Sequence, residues 1–172
     1  MYFVALGSQK FQFNRLLIAI DKMVEEGTIK EKVFAQIGYS DYTPKNYEYK
    51  DFINRNEFLR MESISDVVIT HGGTGAIVEA IKMGKKVIAI PRLAKYGEHV
   101  DDHQVQIIKQ FDENGLIEAC YDTKDLKKSL QAANLKTYKK YISNTSNIIR
   151  QIEIFLEEDF NQYNGNRNDN KN

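Results

Sequence analysis

Apolar residues along this chain follow two different periods. Continuous runs at Met1 to Leu6, Val33 to Ile37, Val67 to Thr70 and Val87 to Ile90 end in Gly7, Gly38, the His71-Gly72-Gly73 turn and Pro91. Unbroken apolar runs of this length, bounded by turn residues, predict strands buried on both faces of a parallel sheet. Between the first two runs the apolar positions recur at three and four residues, through Phe13, Leu16, Leu17, Ile20, Met23 and Val24. Asn14, Arg15, Asp21, Lys22, Glu25 and Glu26 lie opposite, and Gly27 closes the pattern. That is the signature of an amphipathic helix. The same spacing predicts a short helix around Phe58 to Ile64, one over 74–83 closed by Gly84, and one from Asp101-Asp102 through Phe111. It also predicts a helix over about 124–133 behind an Asp122-Thr123 cap, and a long helix over 137–157. Tyr49 to Phe52 and residues 116–119 are short extended pieces. From Asp159 onward apolar residues are few and asparagines many. The pattern therefore predicts one domain over 1–158 and a disordered polar tail over 159–172.

Strands that alternate with helices specify an α/β fold, a Rossmann-like parallel sheet with helices on both faces. Ligands of such sheets bind beyond the carboxyl ends of the strands. Gly7-Ser8, Gly38, His71 to Gly75 and Arg92 to Gln104 all fall on that edge.

Composition narrows the function. A chain of 172 residues makes one domain with a proper core. Lysine plus arginine equals aspartate plus glutamate at 24 each, so no general attraction to nucleic acid or anionic lipid exists and phosphate recognition must be local. A single cysteine, Cys120, leaves no internal disulfide and suits a reducing, cytoplasmic compartment. The apolar N-terminus turns polar at Ser8-Gln9-Lys10, which favours a first strand over a signal peptide or a spanning helix.

The candidate chemistry centres on His71-Gly-Gly-Thr-Gly75. Glycines let a backbone approach a ligand closely, and the N-terminus of the following helix carries roughly half a positive charge. Glu79, five residues beyond Thr74, stands about 7.5 Å further along the axis, beyond close repulsion of a phosphate and in reach of a ribose diol. Together they predict a nucleoside diphosphate site. All three histidines, 71, 99 and 103, fall in the same window. His99-x-x-x-His103 has the spacing of a zinc pair on one helix face, but Val100 stands where a metalloprotease glutamate would, and no third ligand is evident. Asp101-Asp102 reads either as a chelating pair or as the ordinary acidic start of a helix. The dinucleotide fingerprint is incomplete, and the phosphate-loop and serine-hydrolase motifs are absent.

His71-Gly-Gly-Thr-Gly75, Glu79, Gly84, the Val87 to Pro91 strand and Asp101-Asp-His-Gln104, in this order and spacing, resemble glycosyltransferase family 28. The resemblance covers residues 1 to 155 and is to the C-terminal, donor-binding half of the two-domain GT-B fold. It is strongest to the small free-standing members: PssE-type subunits of exopolysaccharide or capsule assembly, and the catalytic subunit of the dolichol-linked UDP-GlcNAc transferase. It implies that His71, Gly72, Gly73, Thr74 and Gly75 face the donor diphosphate, with Gly7 and Ser8 at the neighbouring turn. Glu79 would hold the ribose, and Asp102, His103 and Gln104 the donor sugar. Relatives often carry serine or threonine where this chain has Ala76, so Thr74 would supply the hydroxyl.

The resemblance further implies an inverting transfer from a UDP-sugar, galactose foremost, to a polyprenyl-diphosphate-linked saccharide, with no metal and no cofactor. One GT-B half lacks an acceptor site, so a PssD-type membrane-anchored subunit would supply it and hold this chain at the inner face of the membrane. No catalytic base is assigned, and His71 and His103 are the imidazoles near enough to serve. Two other readings stay open: a non-catalytic enhancer of another transferase, and a zinc-dependent α/β hydrolase. The tyrosine-rich 39–49 loop and the 137–157 helix either dock a partner or a second copy of the chain, or simply cover the sheet.

Overall fold

The computed structural model describes residues 1–147, 149–154 and 156. Residues 1–141 form one compact unit and residues from 142 onward belong to a second. The expected tail over 159–172 lies outside the described residues.

The first unit carries a sheet of six parallel strands, β1 (Tyr2–Ala5), β2 (Val33–Gln36), β3 (Glu48–Lys50), β4 (Val67–His71), β5 (Lys86–Ile90) and β6 (Glu118–Ala119), in the order β3-β2-β1-β4-β5-β6. Helices α1 (Asn14–Glu25), α2 (Arg55–Ile64), α3 (Thr74–Lys82), α4 (His103–Glu113) and α5 (Leu126–Leu135) connect and cover it. Alternation along each strand divides the core. Val4, Leu6, Ile69 and Ile88 pack with α1 and α5, whereas Val68, Val87 and Ala89 meet α3 and α4, and Phe3, Ala5 and Phe34 meet Phe58 and Met61 of α2. Because both faces are covered, the central strands need apolar residues at every position, which is why they read as unbroken runs.

Strand order reverses between β1 and β4, so their carboxyl ends open a crevice at the switch point. Gly7 follows one strand and Gly72 follows the other.

Three expectations about the C-terminal part need correction. Residues 136–144 are not helical, and within the second unit the helical residues are 145–147, 149–154 and 156. Periodicity had suggested one helix from 137, but tertiary contacts override it: Lys136 Nζ and Tyr138 Oη both donate to Glu118 Oε2, at 2.6 and 3.1 Å, and Lys139 N donates to Gly115 O. The chain is held extended by these bonds. The strand expected over 116–119 shrinks to two residues, and α5 starts two residues late, behind a short 3-10 turn whose Asp122 accepts from Lys124 N.

The tyrosine-rich loop covers its own domain. Asp21, buried on α1, accepts from Tyr42 Oη and from the amides of Lys45 and Asn46, and Tyr47 Oη donates to Leu17 O. Burial alone would raise the Asp21 carboxyl, but these donors outweigh it and hold it below the usual range, while the Tyr42 phenol is pushed up to about 12. Tyr39 remains about half exposed, edge-on to Phe52.

Candidate functional site

The glycine turn is built around His71. Its ring fills the space beside Gly7 and Gly73: a Cβ on Gly73 would stand 2.4 Å from the imidazole Nε2, and one on Gly7 2.7 Å from Cε1. Gly7 also has φ of +75°, which favours glycine on its own account. Gly72 is required by a different neighbour, since its Cβ would meet Gln104 Cβ at 2.6 Å. These three glycines are therefore explained by packing within the protein. Gly75 is not, because a Cβ there would meet nothing within 4 Å.

Helix α3 begins at this turn with Gly73 as its N-cap, no side chain bonded to its first amides and no acid in its first turn. Helix α2 shows the alternative, with Asn54 accepting from Glu57 N and an acidic first turn. The start of α3 thus presents donors without a side-chain acceptor. Thr74, Gly75, Val78 and Glu79 line an open groove along α3 of about 580 Å³.

Glu79 is engaged by Arg55, whose two terminal nitrogens reach both carboxylate oxygens, one at 2.8 Å. This arginine, two-thirds exposed, was not singled out from the sequence. Each carboxylate oxygen has a second acceptor direction, so the pairing orients Glu79 without saturating it.

Asp102, His103 and Gln104 diverge. Asp102 Oδ1 accepts from Ala94 N, fixing the loop after β5. Gln104 is buried, and its Oε1 accepts from Gly72 N and Arg92 N, both at 3.0 Å, which ties the ends of β4 and β5 together. Ser8 is exposed beside Gly7.

His99 and His103 do not share a helix face, because α4 starts only at His103. Asp101 comes between them instead, and ligand atoms of the three side chains lie within 4.8 Å of one another. His103 Nδ1 contacts Asp101 Oδ1, and the two imidazoles meet edge to face at 4.8 Å. The structure thereby separates the two catalytic candidates: His103 is half-exposed on a carboxylate that can fix its tautomer, whereas His71 is buried. Burial, and then the nearby Arg92, push His71 down to about 4, so it is neutral at physiological pH. Cys120 is buried and its thiol is pushed up to about 11, which removes it as a nucleophile.

One carboxyl near the groove behaves oppositely. Glu62 of α2 is buried with Oε2 unpartnered, and burial, reinforced by Glu79, raises it to about 7. Its folded value lies above its unfolded one, so stability is lost as pH rises from about 4.5 to 7; His71 is depressed, so stability is lost as pH falls from 6.5 toward 4. Between about 4.5 and 6.5 the two slopes oppose and cancel. Glu62→Gln should uncover the histidine, giving a loss of about 1.4 kcal/mol per pH unit below 6.5 together with a gain of about 2–3 kcal/mol at pH 8. Urea unfolding from pH 4.5 to 8 checks this; parallel profiles for native and variant protein would sink it.

Comparison with known proteins bears on the family and the fold. The model of the glycosyltransferase family 28 C-terminal domain matches residues 1–156. The UDP-N-acetylglucosamine transferase subunit ALG13 of Kluyveromyces lactis is 32% identical over 92 residues, 53% of this chain and 43% of that protein, so the chain spans less than half the length of this relative. Among solved structures, the glycotransferase of kitacinnamycin superposes with a TM-score of 0.58 at 18% identity, over 78% of this chain and 34% of that one. The solution structure of ALG13 gives 0.56 at 18% identity, over 87% and 93%. At such identities the likeness speaks for the fold, a Rossmann-like half of a GT-B enzyme. With a family match that spans every described residue, this protein belongs to glycosyltransferase family 28, through the C-terminal domain of that family.

Proposed function

We propose that this chain is the donor-binding, catalytic subunit of a two-component inverting glycosyltransferase that uses a UDP-sugar. The acceptor would be a polyprenyl-diphosphate-linked saccharide of exopolysaccharide or capsule synthesis, and galactose the leading donor sugar. The observation that carries the reading is the start of α3, where amides without a side-chain acceptor, a Gly75 that no protein atom requires, and the Glu79 carboxylate follow in sequence. Glycine in a helix is unfavourable by roughly 1 kcal/mol relative to alanine. A diphosphate lying against the turn accounts for that cost.

In the proposed reaction an acceptor hydroxyl attacks the anomeric carbon opposite the leaving group. The C1–O bond to UDP breaks, and its electron pair goes to the β-phosphate. The turn amides and the α3 dipole stabilise that charge without a metal. The hydroxyl proton needs a base, either His103, oriented by Asp101, or a group of the partner.

The ALG13 relative is by name a subunit, which supports a two-component reading in which a second polypeptide supplies the acceptor site. Among the described residues no helix is long and apolar enough to cross a membrane. In this proposal a PssD-type partner carries the anchor and the acceptor site and would hold this chain at the cytoplasmic face.

Thermal unfolding tests the site. UDP at about 100 times its dissociation constant should stabilise the protein by about 2.7 kcal/mol. Gly75→Ala should raise the stability of the free protein by about 0.5–1 kcal/mol and remove most of the UDP effect. No response of the native protein to millimolar UDP would count decisively against the proposal.

A further inference from the structure

Arg92 follows β5 directly after Pro91 and is fully buried. One guanidinium nitrogen donates to Leu6 O at 2.7 Å, while Nε and the other terminal nitrogen are buried with no hydrogen-bond partner and the guanidinium carbon lies 5.6 Å from the Phe13 ring centroid. Among the described residues no carboxylate stands within ion-pair distance of it. The nearby acid, Glu98, is already taken: Arg15 grips both of its oxygens, at 3.0 and 2.9 Å, and Leu93 N donates to it as well. Arg15, Glu98 and Arg92 together leave one positive charge unbalanced, and His71, which Arg92 helps to keep neutral, adds none. Desolvating a guanidinium and leaving its donors unpaired is strongly unfavourable. The residue stands beneath the edge where Leu6 runs into Gly7, whose neighbour is His71, whose neighbour in turn is Gly73.

We infer that Arg92 supplies a buried positive charge that a bound diphosphate neutralises, so that this side chain sets the affinity of the site for phosphate without touching the nucleoside. The inference rests on the reading of the α3 turn as a diphosphate site. It explains why a guanidinium is buried without an ion-pair partner at the carboxyl edge of the sheet. Its chemistry suits a diphosphate above a monophosphate, because the attraction grows with ligand charge.

The test titrates uridine, UDP and inorganic pyrophosphate into the native protein, Arg92→Met and Arg92→Lys, with the thermal midpoint of each free protein recorded. Arg92→Met should fold with an unchanged or higher midpoint, bind UDP and pyrophosphate roughly 10-fold more weakly or worse, and bind uridine as before. Arg92→Lys should lie between. Equal UDP and pyrophosphate affinities in native protein and Arg92→Met would overturn the inference while leaving the donor site standing, and so would a parallel loss of uridine binding. Native protein that binds pyrophosphate through Arg92 but gains nothing from the nucleoside would refute the UDP reading and keep the inference. Binding of neither ligand would end both. If Arg92→Met fails to fold, NMR of the native protein decides: the Arg92 Nε–H resonance must move on addition of pyrophosphate, and a fixed resonance overturns the proposal.

Discussion

Gly73→Ala should destabilise the domain by about 2–3 kcal/mol, the upper part of the range for forcing one carbon into a packed site. The new methyl group would stand 2.4 Å from His71 Nε2. The imidazole has little room to retreat, since it is buried and its Cε1–Nε2 edge also stands close to Gly7, where an added Cβ would meet Cε1 at 2.7 Å. The alternative is a shift of the turn itself, which moves the amides that open α3, so UDP binding should be lost with the stability. Urea unfolding measures the first effect. The cause is checked by a double-mutant cycle: in a His71→Ala background the same glycine substitution should cost less than about 1 kcal/mol. An undiminished cost there would mean that backbone conformation, not the imidazole, makes this glycine necessary.

Glu79→Ala should do the reverse, leaving the fold nearly untouched and removing the ligand. The pair with Arg55 is largely exposed on the arginine side and contributes at most about 1 kcal/mol to stability. Losing the acceptor of two ribose hydroxyls should weaken UDP by roughly 1.5–3 kcal/mol, about 10- to 150-fold. The loss should be much smaller for 2′-deoxy-UDP, and calorimetric titration of both nucleotides separates ribose recognition from general damage. Reconstitution with the proposed membrane partner then distinguishes catalysis from enhancement. Transfer should vanish in Glu79→Ala if this chain holds the donor, and survive if the chain merely supports another transferase.

Much of the site could be placed from the linear pattern because strand ends and glycines share it. His71 to Gly75 ended an apolar run and opened a helical one, so the turn could belong only at the carboxyl edge. Residues whose roles depend on distant partners were not legible. Arg55 lies 24 positions from Glu79, and the Glu98 carboxylate is held by Arg15 from 83 positions away. The resemblance places Gln104 with the donor sugar, and its carbonyl oxygen also accepts from two backbone amides, a pairing no spacing rule discloses. Arg92 lies in the loop after β5, and nothing in its neighbourhood of sequence marks it as buried.

By itself the sequence determined the α/β class, the strands and helices of the first 135 residues to within a few positions, and the glycine turn, because these depend on periodicity and on local backbone freedom. Tertiary structure decided which glycines of the 71–75 turn serve packing and which one faces open space, which histidine is buried and neutral, and why residues 136–144 leave the helical pattern. Those outcomes follow from desolvation and from contacts across the sheet, which arise only once distant segments share one interior.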